Sequence, residues 1–371
     1  MISSFSRHFV VLALALGLAG PAHSHLPGQP PHKMALLGDL QLESGAVVKD
    51  FKMSYVTHGT LNAAKDNTIL FITGFAANHH LFDHVIGPGR PLDTNKYFIV
   101  CPDPLGASQT TYEHSTSPTS SGLKMKFPLY NSRDMVNSYF RLITESLGIP
   151  HLLAVTGVSG GGAQSVQFAV SYPQFMDGIF PVAGSAFWGT NVQFIVGLMK
   201  TAIESCKGWE GGNYDENPRH CAANALSTFA SHFHSKEWWN QYLDTPEAFV
   251  HWRNTFGDYY LDIQDARDLY YQAGYGSRSW IGDTPGFNGD IKKTLGSITA
   301  RTLFIYSPYD QFHMPRQIDA QVRMIPNSRA LAIDSTAGHL FCCNADPNAT
   351  RIMGGAIRSF LQELGTLRGA K

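Results

Sequence analysis

The stretch Gly157-Val158-Ser159-Gly160-Gly161-Gly162 constrains this chain more than any other. It follows the apolar run Leu152-Leu153-Ala154-Val155-Thr156 and precedes the helix-forming run Ala163 to Val170. Strand, sharp turn and helix in that order, with G-x-S-x-G on the turn, push a serine hydroxyl out above the edge of a sheet. Gly157 and Gly161 are needed there because a side chain at either would clash across the bend. The following helix aims its N-terminus at the serine, where it favours a developing oxyanion. A Gly/Ser turn between strand and helix is also an ordinary βα connection, so other residues must add weight to the assignment.

A serine hydroxyl is a poor nucleophile until a base takes its proton. On this strand-turn-helix arrangement the partners follow in the order serine, acid, histidine. Thr302 to Ser307 reads as a buried strand ending in Pro308-Tyr309-Asp310. Ala330 to Ile333 reads as another strand, followed by Asp334-Ser335-Thr336-Ala337-Gly338-His339. Asp310 and His339 thus fall on loops just past strand ends, with room for a helix and a strand between them. Asp334 is the rival acid, but it leaves no room for a strand before His339. His313 is the rival base and falls in the turn before a helix opened by Pro315. An isolated loop Asp is usually a turn residue; the ordered set is what carries weight.

The oxyanion needs two backbone N–H donors. Gly160, next after the serine, supplies one. The other is expected from Phe75, in the loop Thr73 to His80 after the strand Thr68 to Ile72. His79 and His80 are adjacent loop residues with no third ligand at a useful spacing, so metal binding is not expected.

Strands are expected near Val48–Tyr55, Thr68–Thr73, Tyr97–Cys101, Leu152–Thr156, Ile179–Ala183, Thr302–Ser307 and Ala330–Asp334. Helices are expected near Ser132–Leu147, Gly160–Tyr172, Pro315–Met324 and Asn348–Leu364, with Ser132 as N-cap and Gly148 as the C′ residue of the first. That alternation indicates a mainly parallel sheet covered by helices on both faces. The core is expected over 37–186 and 297–371. Between them, over 187–296, the strand pattern disappears. This stretch holds all six Trp residues (Trp188, Trp209, Trp238, Trp239, Trp252 and Trp280) and reads as a helical cap. Most of these rings are expected to form the cap's own core, with one or two lining a pocket.

With these residues in view, the chain resembles the α/β-hydrolases, and within them the homoserine O-acetyltransferase (MetX-like) branch. The resemblance runs from about Leu37 to the C-terminus. It rests on Asn131-Ser132-Arg133-Asp134-Met135-Val136, Leu147-Gly148-Ile149, Asp103-Pro104-Leu105-Gly106, Trp209-Glu210-Gly211-Gly212-Asn213-Tyr214, and the serine turn with Gln164 behind it. It implies acyl transfer through a covalent serine ester. Three departures bear on substrate. The branch carries an Asp after the catalytic His, where Leu340 stands here. It carries a lid Arg, whereas Cys221 through His251 contains none, although Arg219 and Arg253 flank that stretch. Its serine is usually followed by Met, which Gly160 replaces. A zwitterionic amino acid is poorly held in a dry pocket without charged partners.

The chain of 371 residues, 43% hydrophobic, suits one large domain with an insertion or two small ones. A net charge of -1 without a basic run speaks against nucleic acid as a partner. There is no internal repeat, and Gly28 to His32 is a short spacer. At the N-terminus, Arg7, the apolar run Phe9 to Leu18 and the small-x-small ending Ala22-His23-Ser24 form a secretory leader over 1–24. The run is too short for a comfortable membrane span, so no anchor is expected to remain after cleavage. The expected location is periplasmic or secreted. There an acyl-CoA donor is missing and water is abundant, so the chemistry defaults to ester hydrolysis without a cofactor. The expected partner is a small-molecule ester, and a homodimer is left open. Acyl transfer and a non-enzymatic ligand-binding role are the alternatives. Of five cysteines, Cys206 and Cys221 could pair, Cys342 and Cys343 could form a vicinal bridge or remain thiols, and Cys101 reads as a core thiol.

Overall fold

Leu152 to Val158 is buried at every position, as a strand covered on both faces must be. It lies inside an eight-stranded sheet. The computed structural model describes residues 29–110, 113–256 and 263–369; the expected leader lies outside them. In chain order the strands are β1 (Lys33–Gln41), β2 (Val47–His58), β3 (Thr68–Ile72), β4 (Phe98–Pro102), β5 (Leu152–Val158), β6 (Met176–Val182), β7 (Arg301–Tyr306) and β8 (Ser328–Ala332). Side by side they run β1-β2-β4-β3-β5-β6-β7-β8. The pairs β1–β2 and β2–β4 are antiparallel, and β4 through β8 are parallel. This is the mainly parallel sheet expected from the alternating pattern, with an antiparallel edge.

Strand alternation sends neighbouring side chains to opposite faces. On β3, Leu70 and Ile72 join one apolar core, while Ile69 and Phe71 join the other. The first core receives helices α1 (Ser132–Arg141) and α2 (Gly160–Ser171). The second receives the C-terminal helix Pro347–Gly369 through Met353, Ile357 and Phe360.

Two local expectations are corrected. Asn131, not Ser132, is the N-cap of α1. It is extended (φ −127°), and its side chain accepts from the N–H groups of Arg133 and Asp134, while Asp134 accepts from Asn131 N–H at 2.9 Å. This reciprocal box satisfies three backbone donors, whereas Ser132 is already helical. The edge strand β1 lay outside the expected set. Its alternation is broken by register shifts around Gly38 (φ +65°). Beyond α1 the helix widens to a π-turn over Leu142–Ser146, and Gly148 follows at φ +59°, as a C′ glycine should.

Between β6 and β7 the described chain forms helices α3 (Thr190–Glu204), α4 (Arg219–Ala230), α5 (Lys236–Tyr242), α6 (Pro246–Phe256), α7 (Ala266–Tyr275) and α8 (Ile291–Gly296). Cys206 and Cys221 form a disulfide joining the end of α3 to α4. Closing a loop of 15 residues restricts the unfolded chain and contributes about 3 kcal/mol in the chain-entropy account. Cys101 and Cys342 are buried thiols, and Cys343 is a partly exposed one. Among the described residues no helix is long and apolar enough to cross a membrane.

Candidate active site

β5 ends against Ile72 of β3 and Pro181 of β6 through Gly157, so the turn that follows opens at the C-terminal edge of the sheet. Ser159 sits there at φ 57°, ψ −119°, a conformation that costs of order 1–3 kcal/mol and persists only where neighbours enforce it. The Ser159 N–H donates to Val182 O at 2.9 Å, and its carbonyl accepts from Ala163 N–H at 3.1 Å. A Cβ on Gly157 would overlap the Gly161 backbone and lie 2.6 Å from Ile72 O; one on Gly161 would strike the Ile72 and Thr73 carbonyls. Helix α2 therefore closes onto β3 and β5 only with glycine at both positions.

Asp310 and His339 follow β7 and β8 and meet at the same edge. His339 Nδ1 lies 2.8 Å from Asp310 Oδ2. An ionised carboxylate only accepts, so Nδ1 carries the proton and Nε2 is left as the acceptor. The other oxygen, Asp310 Oδ1, accepts from Phe312 N–H at 2.7 Å and His313 N–H at 3.2 Å. Burial alone would raise the Asp310 pKa. The His339 charge and hydrogen bond, helped by His313 and the Phe312 N–H, outweigh it and hold the carboxyl below its ordinary value. Of the rivals, Asp334 is exposed. His313 is buried with Nδ1 2.9 Å from Ser185 Oγ. Burial drives its pKa down to about 4, which leaves it neutral at pH 7.

Phe75 and Gly160 are brought together. A Cβ built on Gly160 would stand 3.7 Å from Phe75 N and 2.8 Å from the Tyr275 hydroxyl. Gly74, Phe75, Ala76 and Ala77 form a turn closed by Ala77 N–H to Gly74 O at 3.3 Å, with Ala76 at φ 53°.

The helical insertion reaches this edge at points that local sequence patterns do not reveal. His339 N–H donates to Phe233 O at 2.8 Å, and His234 Nδ1 lies 3.0 Å from Ala337 O. A Cβ on Gly338 would come 2.9 Å from Phe233 O, so this segment clasps the turn that carries His339. Phe75, Phe229 and Phe312 form a run of rings with centroids 4.9 and 4.6 Å apart, and Phe312 lies 4.7 Å from the His339 ring. Trp188 faces Phe75 edge-on and stands 3.7 Å from the Cβ position over Gly160. It is the tryptophan nearest the serine turn in these contacts. Trp238 instead stacks on His234, and Trp239 packs against Trp252.

His79 and His80 engage different carboxylates: Asp103 Oδ2 at 3.0 Å and Asp83 Oδ2 at 2.8 Å. Among the described residues, the group with metal-ligand spacing is Cys206, His220 and Cys221, and there the two sulfurs are joined to each other. Leu340 is partly buried against the apolar core. Arg219 and Arg253 are both exposed. The buried Arg267 is engaged by the Gly212 and Tyr214 carbonyls, and Arg278 by Tyr130 O.

Comparison with known proteins places the chain in a known fold family. The family model of the alpha/beta hydrolase fold matches residues 67–345. The chain is 30% identical to a homoserine O-acetyltransferase of Moorella thermoacetica over 334 residues, 81% of this chain and 88% of that one. It is 29% identical to a probable esterase of Corynebacterium glutamicum over 329 residues, 86% and 93% of the two chains. The structure of an acetylester hydrolase from Corynebacterium glutamicum superposes with a TM-score of 0.80 at 28% identity, covering 90% of this chain and 96% of that one. The chain belongs to the α/β-hydrolase fold family, in the branch that includes the homoserine O-acetyltransferases. It is an enzyme of the hydrolase or acyltransferase kind.

Proposed function

We propose that this enzyme is an exported serine hydrolase that cleaves a short, neutral carboxylic ester. The observation that carries the reading is the buried Asp310–His339 pair set at the same sheet edge as the strained Ser159. His339 Nε2 takes the proton as Ser159 Oγ attacks the ester carbonyl. The N–H groups of Phe75 and Gly160 receive the oxyanion of the tetrahedral intermediate. His339 then gives the proton to the leaving alcohol. Water, deprotonated by the same imidazole, attacks the acyl-enzyme and releases the acid with Ser159 restored. The run of rings from Phe75 to Phe312, with Trp188 beside it, favours a compact apolar acyl group.

Hydrolysis is favoured over transfer to homoserine by the charges. Leu340 offers no carboxylate to an ammonium group, Arg219 and Arg253 face solvent, and Arg267 is engaged by the Gly212 and Tyr214 carbonyls. Each missing charged hydrogen bond weakens recognition by roughly 1.5–3 kcal/mol. The enzyme is expected to hydrolyse p-nitrophenyl acetate faster than longer-chain esters and to release no extra thiol from acetyl-CoA when homoserine is added. Homoserine-dependent thiol release without ester hydrolysis would restore the transferase reading.

Export is proposed from the leader over 1–24, and the Cys206–Cys221 disulfide suits an oxidising compartment. The mature protein from its host is expected to begin near His25. Edman sequencing that finds Met1 or Ile2 on the active protein would count against this route.

A further inference from the structure

We propose that Gln272 and Gln264, contributed by the helical insertion, are positioning residues of the oxyanion site. The inference rests on the reading of Phe75 as an oxyanion donor. Ala76, the residue after it, is held at φ 53°, a region an L side chain enters only when its surroundings demand it. The surroundings here are amide side chains. Ala76 N–H donates to Gln272 Oε1 at 3.0 Å. Ala76 O accepts from Gln264 Nε2 at 3.1 Å and from Gln109 Nε2 at 3.4 Å. Both peptide groups of Ala76 are thereby fixed, and the peptide that carries the Phe75 N–H is next in line.

The two glutamines are themselves immobilised. Gln272 Nε2 donates to Gly106 O at 2.8 Å and contacts Ser108 Oγ at 3.1 Å. Ser108 Oγ in turn donates to Gln264 Oε1. Gln109 Oε1 accepts from Asn78 Nδ2 at 2.9 Å, within the oxyanion loop itself. Gln264, Gln272, Gln109 and Ala76 are all buried, so water does not compete for these bonds. One turn along α7 from Gln272, the Tyr275 hydroxyl stands against Gly160 and accepts from Gln164 Nε2 at 3.2 Å. One face of α7 thus reaches Gly160 and Ala76, the residue after Phe75.

The chemistry follows from preorganisation. An oxyanion site accelerates a reaction only if its donors already point at the place where charge develops. Release of Ala76 from the left-handed region would swing the adjoining peptides and misdirect the Phe75 N–H. That loss falls on the transition state and spares ground-state binding.

The test compares wild type, Gln272→Met, Ala76→Gly and the double variant on p-nitrophenyl acetate, with thermal unfolding of each to normalise rates to folded protein. Gln272→Met removes the acceptor for Ala76 N–H at similar volume. Its kcat should fall roughly 10- to 100-fold, with KM within about threefold of wild type. Glycine accepts positive φ without a Cβ penalty, so Ala76→Gly in the Gln272→Met background should recover a large part of the lost kcat. A Gln272→Met enzyme with wild-type kcat, one whose loss matches its loss of folded protein, or a double variant with no recovery would each overturn the inference. Ser159→Ala run alongside separates the two claims. An active Ser159→Ala enzyme refutes the hydrolase reading itself, whereas an inactive one beside a fully active Gln272→Met enzyme refutes only the positioning role.

Discussion

Ser159→Ala is expected to lower kcat on ester substrates by on the order of 10⁶-fold while leaving the protein folded. Alanine keeps a Cβ at the strained φ and ψ of the turn, so it neither relieves nor adds backbone strain there. Ser159 N–H still reaches Val182 O, and its carbonyl still receives Ala163 N–H. Only the hydroxyl is lost, and with it the acyl-enzyme. The oxyanion donors and substrate binding remain and account for whatever catalysis survives. Initial rates on p-nitrophenyl acetate, together with intact mass after a fluorophosphonate probe, decide the matter. Substantial turnover by the alanine variant, or a wild-type adduct located away from Ser159, would refute the assignment.

Asp310→Asn should lower kcat by roughly 10⁴-fold through the tautomer of His339. The orientation of the new amide is fixed by its surroundings. Asp310 Oδ1 receives the Phe312 and His313 N–H groups, so the asparagine oxygen stays on that side and its NH₂ faces His339. An amide donor opposite Nδ1 selects the imidazole with its proton on Nε2, the atom that must accept from Ser159. Asp334→Asn, on the exposed rival, should leave the rate within a factor of about two, as surface changes usually do. Rates measured for both variants on one ester discriminate the acids. A severe loss with Asp334→Asn beside a mild one with Asp310→Asn would reassign the acid.

What the sequence revealed was what local chemistry enforces. Ser159 stands out because a strained turn demands glycines at fixed offsets, and Asp310 and His339 because each lies on a loop past a strand end. Phe75 lies just past β3, a loop position the strand pattern marks. The edge strand β1 was hidden because register shifts around Gly38 break its alternation. The cap of α1 was misplaced by one residue because Asn131 and Ser132 are both good N-cap types, and only the backbone distinguishes them. The supports from the insertion were hidden for a different reason. Gln272 and Ala76 are separated by 196 positions, and a glutamine has no periodicity or spacing that marks it as a partner of a distant peptide group. His339 and Phe233 O meet through main-chain atoms, which leave no trace in residue identity.

That last contact has a consequence for how the enzyme can diversify. The clasp on the His339 turn uses the carbonyl of residue 233 and the N–H of residue 339, so that bond does not depend on which side chain stands at 233, whereas the buried Phe233 ring lies nearly parallel to the His339 ring with centroids 6.3 Å apart. Ring packing against Phe312 and main-chain bonding to the His339 turn are thus carried by different atoms of the same segment. On the proposed ester-hydrolase reading, substitution at Phe229 or Phe312 is expected to change acyl preference while the main-chain bond to His339 stays.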